Sequence, residues 1–343
     1  MFSKLLGSKT KILASTLAFS ILLLVSAGLT YQYLDEGRGG GEGIHVESDI
    51  VFVARKQNFL RPTLFAFSHG EDEVLWGARA HGGLLQNMNP LSVRAFPRDV
   101  HSAGQYLASA GSDGSVELRE ARTGNLIWRH RHHDDSVWEV SIRDDIVVSS
   151  GRDGRVVAAG LEDGALFWSH TAHYTGDPRT QMIRSVRLDD TGVFSAGYDG
   201  QIILSDASTG ETIWRYRHGG RIKSVDHSDG VVVFSSWEAD ADVVAISLES
   251  SDVLWTHAWH DRSAAGFRGD HLGVEELMVY GDKVYSAGDD GRVVVANLFD
   301  GSIVGYHDRH SSSVRSIFVN DDGVFSIDRD GTVIFSSHVE FDG

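Results

Sequence analysis

The chain contains no cysteine, so disulfides, thiolate nucleophiles and thiolate metal ligands are excluded. It is also short of positive charge. Lysine occurs only six times, and 31 Lys and Arg face 48 Asp and Glu, a formal net charge of −17. Lys4, Lys9 and Lys11 stand in a first thirty residues that hold no acid, so the remainder is more acidic still. A phosphate backbone is bound by a basic surface, and its absence argues against DNA or RNA as a partner. An acidic, Lys-poor surface fits a protein soluble in high salt, where screening removes much of the self-repulsion. The alternative is an ordinary acidic extracellular domain. With 41% hydrophobic residues, a sizeable core is nevertheless available.

One stretch near the N-terminus lacks charge altogether. Ile12 to Thr30 is dominated by Leu, Ile, Val, Ala and Phe. A helix of that length rises about 28 Å, close to the hydrocarbon thickness of a bilayer. Lysines precede it, and Tyr31 and Tyr33 follow. The positive-inside rule keeps the lysines cytoplasmic and exports the rest. The expectation is a single-pass signal anchor over 12–30, behind a cytoplasmic n-region at 1–11. Val25-Ser26-Ala27 offers small residues for cleavage, and a cleaved chain would be secreted. Residues 31–43, which include DEGRGGGEG, read as a Gly-rich linker. The domain proper is then 44–343.

That domain is written as a repeat. In residues 182–218 a strand Ile183–Leu188 is followed by Gly192–Ala196, the turn Asp199-Gly200, Gln201–Ser205, the turn Ser208-Thr209-Gly210, and Thr212–Tyr216 around Trp214. Glycine supplies the positive φ of a two-residue hairpin. Asp-Gly turns recur at 113–114, 153–154, 199–200, 290–291 and 330–331. One is missing, and a longer hairpin, Trp237 to Asp242, stands in its place. Tryptophans recur at 76, 128, 168, 214 and 255. A period of about 40–45 residues with four strands per unit indicates a propeller. Seven units fill the domain. The fold class is all-β: a seven-bladed propeller of four-stranded antiparallel blades behind one transmembrane or signal helix. The last unit has three strands, and an open ring leaves unpaired edges. Either Ile44–Glu47 or His338–Phe341 is expected to close it.

The run His133-x3-Val137-x2-Val140, with Ser149-Ser150-Gly151-Arg152-Asp153-Gly154, resembles the WD-repeat signature. So do His218-x3-Ile222-x2-Val225 and His310-x3-Val314-x2-Ile317. The third strand departs from it, ending in Arg119-Glu120, Ser205-Asp206 or Ser336-Ser337 rather than Trp-Asp. The fourth strand instead carries Thr-Gly followed by Trp, as in Asp206 to Trp214. That is similar to the tryptophan-docking repeat of quinoprotein-like (PQQ-like) propellers, which include non-catalytic assembly and scaffold proteins. The resemblance implies fold more than function.

Seventeen histidines invite a catalytic or metal reading. However, His81, His133, His173, His218, His260 and His310 each follow a fourth strand. The resemblance implies that they bond the turn Asp (113, 153, 199, 290, 330) and a strand Ser (109, 150, 195, 286, 326) within each blade. A site used once is not written five times, so no catalytic residue is assigned. His130 and His132 share one side of a strand, which permits a two-histidine metal site without a third ligand. No metal or cofactor is therefore assigned.

Spare length is concentrated in three connections, 82–92, 174–182 and 260–273. All join a fourth strand to the next first strand, on the face that also carries the Asp-Gly hairpins. Repeat proteins place binding loops in this way. The candidate partner-binding face comprises Arg152, Asp177, Arg179, Tyr198, Trp237, Trp259, Arg262, Phe267, Arg268 and Arg329. Arg268 to Asp270 spells Arg-Gly-Asp, a tripeptide short enough to arise by chance. The expected function is a membrane-anchored, extracytoplasmic, non-catalytic scaffold that binds a protein or cell-surface polymer. The alternative is a quinone-dependent dehydrogenase. The resemblance implies that such an enzyme carries Glu, Asn and Asp around calcium, with a catalytic Asp and a basic residue, a set the non-repeated residues do not assemble. A propeller hydrolase or lyase lacks a unique acid–base pair.

Overall fold

The computed structural model describes residues 30–31, 40–56, 62–69, 73–81, 95–237, 243–261 and 273–341. Seven four-stranded antiparallel sheets follow one another along the chain. Blade 1 is Gly40–Glu47, Ile50–Lys56, Leu64–Ser68 and Val74–Ala78. Blades 2 to 6 begin with the strands Pro97–Ala103, Val137–Arg143, Ile183–Asp189, Ile222–Ser228 and Val274–Tyr280. Blade 7 begins with Val314–Asn320. The first strands pack against one another around the ring, and blade 7 meets blade 1 there. They therefore line a central channel.

The sequence pattern accounts for this layering. Second strands such as Gly192–Gly197 are buried along their whole length, because each blade presses both faces on its neighbours. Phe194 and Ala196 of blade 4 thus share a core with Ile222, Val225 and Phe234 of blade 5. Burial of apolar surface between blades is the main stabilising term, worth about 25 cal/mol per Å2. Fourth strands form the outer rim, where Leu166 and Phe167 are exposed and Trp168 is buried.

The ring closes differently from either expectation. Thr30–Tyr31 pairs with Ile334 and Val333 as the outer strand of blade 7. Ile44–Glu47 belongs to the inner strand of blade 1, and His338–Glu340 is a turn of 3-10 helix. Gly40–Gly43 is part of that inner strand too, so the propeller begins before residue 44. Glycine is needed at Gly41, because a Cβ there would overlap the Asp328 carbonyl and the Ile327 side chain of blade 7. Of the proposed span 12–30 only Thr30 is described, and it lies in a strand. No helix among the described residues is long and apolar enough to cross a membrane.

The C-terminal turn explains another irregularity. Blade 6 has Gly305 where the outer strands of blades 1 to 5 carry tryptophan. A side chain at Gly305 would collide with the Phe341 backbone. Beside it His307 is buried, with neither ring nitrogen hydrogen-bonded and its ring 5.6 Å from that of Phe341. Burial, with smaller contributions from His310 and Arg309, pushes its pKa down to about 3. A depressed histidine stabilises the fold above its unfolded pKa of about 6.5, and that stability is lost as pH falls toward the folded value. His307→Phe removes this loss. Urea unfolding should show the variant gaining on the wild type by about 1.4 kcal/mol per pH unit below 6.5, a larger advantage at pH 5 than at pH 7.5.

Candidate functional site

The recurrent histidines are blade architecture. His173 bonds Asp199 and Ser195, each at 3.0 Å. His260 bonds Asp290 and Ser286 likewise. In blade 3 the serine is Ser149, not Ser150, since alternation along the strand turns Ser150 to the other face. In blade 7 the acid is Asp328, not Asp330. Asp328 occupies the position held by Gly288 in blade 6, where a Cβ would overlap His260. His218 has Ser236 as its hydroxyl partner, 2.8 Å away. These contacts tie the connection after each fourth strand to the hairpin between strands two and three, so both lie on one face.

His130 and His132 stack on the same side, rings 5.4 Å apart. Their Nε2 atoms contact the Asp163 and Gly164 carbonyl oxygens at 3.0 Å. Among the described residues no group of three His, Cys, Asp or Glu is placed to hold a metal.

On the insert-bearing face, Asp177 and Arg179 are exposed on a turn whose Gln181 bonds the Arg152 carbonyl. Arg152 is exposed and 3.8 Å from Asp135. Tyr198 and Trp237 meet edge to face at 5.3 Å, and Arg221 lies over both rings. Arg329 is exposed on the blade 7 hairpin. Trp259 is a correction. It is buried, donates to the Gly301 carbonyl and packs on Trp255, so it is no surface aromatic. Arg262, Phe267 and Arg268 lie outside the described residues, as do all of 82–92 and most of 260–273.

This face surrounds the channel mouth, which sequence reasoning missed. Each first strand has an inner edge with free backbone N–H groups, and buried donors require acceptors. The acceptor comes from the preceding blade. Asp99 takes the Val140 N–H, Glu139 that of Val186, Ser185 that of Val225, Ser224 that of Leu277, Glu276 that of Ile317, and Ser316 that of Ile44. A second ring lies deeper, where His101, Ser141, Asp226 and Met278 accept from the next blade. Arg187 spans the channel from blade 4, bonding Glu139 of blade 3 and Glu276 of blade 6. Burial opposes its charge, but Glu139, Glu276 and Asp226 outweigh burial and push its pKa up.

Above this ring the lining is Glu42, Arg98, Trp138, Arg184, Lys223, Glu275 and Arg315 around a cavity of about 80 Å3. Glu275 pairs with Lys223, Arg315 and Arg184. Burial alone would raise its pKa, but these three cations hold it well below the usual carboxylate range. Trp138 lies between two guanidinium groups, Arg98 at 3.8 Å and Arg184 at 4.1 Å from the ring centroid. A sequence signal existed: these charges sit at one register position of the first strands and do not follow the repeat.

The outer rim carries the tryptophans. Trp76, Trp128, Trp168 and Trp255 each donate to a carbonyl of the next blade, at Ala121, Leu161, Ala207 and Leu298. Trp214 donates instead to the Ser251 hydroxyl. A family model described as outer membrane protein assembly factor BamB, built on PQQ-like repeats, matches residues 112–182 and 177–340. The chain belongs to this family. In this chain the docked tryptophans bridge blades 1 to 5 to the blade that follows each, and the match is to PQQ-like repeats. No curated protein matches the sequence. Two solved structures share the fold. A computationally designed protein, Ika8, is 19% identical over 88% of this chain and 98% of its own, with a TM-score of 0.59. A chain of the mitotic checkpoint complex is 13% identical over 84% and 86%, with a TM-score of 0.66.

The quinone implied by PQQ-like propellers does not fit the channel. Both faces of Trp138 are covered by guanidinium groups, so no aromatic face is left for a flat ring. Glu139 and Glu276, the acids below, are engaged by Arg187. The space left between these side chains is small, about 80 Å3.

Proposed function

We propose that this chain is a non-catalytic scaffold of the PQQ-like repeat family, which engages a protein partner through the insert-bearing face of the propeller. One observation carries the reading. The polar residues that suggest chemistry are occupied within the blades and the channel, whereas Arg152, Asp177, Arg179, Tyr198 and Trp237 gather on one face beside the insert 174–182. Aromatic and arginine side chains are the usual anchors of protein interfaces. The family description, an outer membrane protein assembly factor, agrees with a role in assembly rather than turnover. The apolar stretch 12–30 would tether the propeller on the extracytoplasmic side of a membrane.

Cross-linking of the full chain in cell envelopes tests this. A discrete partner should be captured, and capture should fall about tenfold with Tyr198→Ala plus Trp237→Ala, each an anchor worth at least about 1 kcal/mol. Unchanged capture by that variant, and by Arg152→Glu plus Arg179→Glu, removes this face from consideration. Alkaline extraction of membranes should leave the chain in the pellet, and release into the supernatant refutes the anchor.

A further inference from the structure

We propose that the propeller rests on a lipid surface with the face opposite its inserts, blade 7 lowest, so that the insert-bearing face points away from the bilayer. This rests on the tether read into the apolar stretch. The course of the chain carries it. In blade 7 the third strand, Val333–Ser336, leaves the hairpin of Arg329 on the insert-bearing face and runs down to the opposite face. Thr30–Tyr31 pairs with it antiparallel, Thr30 against Ile334 and Tyr31 against Val333. The closing strand therefore runs up toward the inserts, and the chain enters it from below.

Length leaves no slack. With Thr30 already in the blade, the eighteen uncharged residues Ile12 to Leu29 remain for the membrane. As a helix they rise about 27 Å, all of it needed to cross the hydrocarbon core. The Gly-rich stretch adds nothing, because it follows the closing strand and leads into Gly40–Glu47 of blade 1. It spans from blade to blade rather than from membrane to propeller. The lower edge of blade 7 then stands at headgroup level. Its surface suits that place. Val339 is 79% exposed just beyond the third strand, and its neighbour His338 contacts the Asn320 carbonyl at the lower end of the first strand. In adjoining blade 6, Phe299 of the lower hairpin and Ile303 of the outer strand are exposed too. Such side chains can dip into the headgroup boundary. Charge sets the tilt. Exposed acids stand on the lower hairpins, from Asp144 and Glu162 of blade 3 to Asp321 and Asp322 of blade 7. Anionic headgroups repel them, so the tether holds blade 7 down while the blades across the ring lift away.

A chain without cysteine accepts a single label cleanly. The full chain is reconstituted into phosphatidylcholine vesicles that carry a nitroxide headgroup lipid, with a fluorophore on Val339→Cys, Glu211→Cys or Arg179→Cys. Glu211 is exposed on the lower hairpin of blade 4, and Arg179 is exposed on the insert 174–182. Quenching should be several-fold stronger at position 339 than at 179, with 211 between them. Added phosphatidylserine should widen the gap between 339 and 211, and an unchanged gap overturns the tilt. Strongest quenching at 179 inverts the propeller, and equal quenching at all three lets it swing freely; either result overturns the proposal. Tyr31→Cys with Val333→Cys should cross-link on oxidation in the same vesicles, since these residues face each other across the pair. A folded variant that fails to cross-link detaches the tether from blade 7 and overturns the proposal as well. Release of the chain from vesicles by alkali refutes the tether itself, whereas retention with the wrong quenching order refutes the orientation alone.

Discussion

Replacing Arg187 with methionine lowers stability at pH 7.5 by about 3 kcal/mol, the low end for a broken buried ion pair. The channel is partly wet, since the Arg187 side chain is 21% exposed, which is why the upper end is not expected. The variant leaves Glu139 and Glu276 facing each other without their cation, while Asp99 and Asp226 sit nearby. Burial already raises Glu276, and Glu139 raises it further against the pull of Arg187. Without the guanidinium Glu276 loses the interaction that opposes this rise. The sign follows from proton linkage. A carboxyl raised in the folded state costs stability as pH climbs through its folded pKa, and that cost disappears as pH falls and the proton returns. The gap between wild type and variant is therefore widest at pH 7.5 and narrows toward pH 5. Adding Glu139→Gln and Glu276→Gln to Arg187→Met should restore much of the loss, because no buried charge is then unpaired. Urea unfolding at two pH values checks each point. A gap independent of pH assigns the role of Arg187 to packing instead.

Truncating one docked tryptophan should be about as severe. Trp128→Ala removes a buried ring from the seam between blades 2 and 3 and leaves the Leu161 carbonyl without its donor. Aromatic-to-alanine changes in cores cost about 3–5 kcal/mol. For a domain of about 300 residues each kilocalorie lowers the melting temperature by about 1.6 °C, so a drop of about 5 °C or more is expected by scanning calorimetry. Trp128→Phe keeps most of the packing and should lose only the hydrogen bond, about 1 kcal/mol. Trp214→Ala makes an internal comparison. Trp214 is half-buried and bonded to a hydroxyl, so its loss should be smaller. Equal losses at Trp128 and Trp214 would show that burial does not set the strength of the contact.

The repeat was legible because each blade repeats the same local physics. Asp-Gly makes the inner hairpin, Thr-Gly or Asp-Gly the outer one, and tryptophan docks on the next unit. Strands, blade number and the His–Ser–Asp networks follow from counting. Errors came where two residues of one type stand together or near each other. Ser149 and Ser150, or Asp328 and Asp330, are told apart only by the strand register that turns one of each pair toward the histidine. Trp259 read as an interface residue because it breaks the period. Its indole in fact reaches Gly301 of the next blade, a contact between residues far apart in sequence.

The channel was not legible for a stronger reason. Its residues come one or two per blade, and although Arg98, Trp138, Arg184 and Glu275 share one register position of the first strands, that position alone does not say that they meet. Closing the ring brings them within bonding distance, and the free inner edges of seven strands then select acceptors from their neighbours. The same closure recruits Thr30–Tyr31, a pairing across the whole chain that neither spacing nor composition records. Composition and period were sufficient for an acidic, cysteine-free, seven-bladed propeller, because those are properties of each residue and of each repeat. The closing strand and the charged channel depend on which distant residues meet, and only the packed ring decides that.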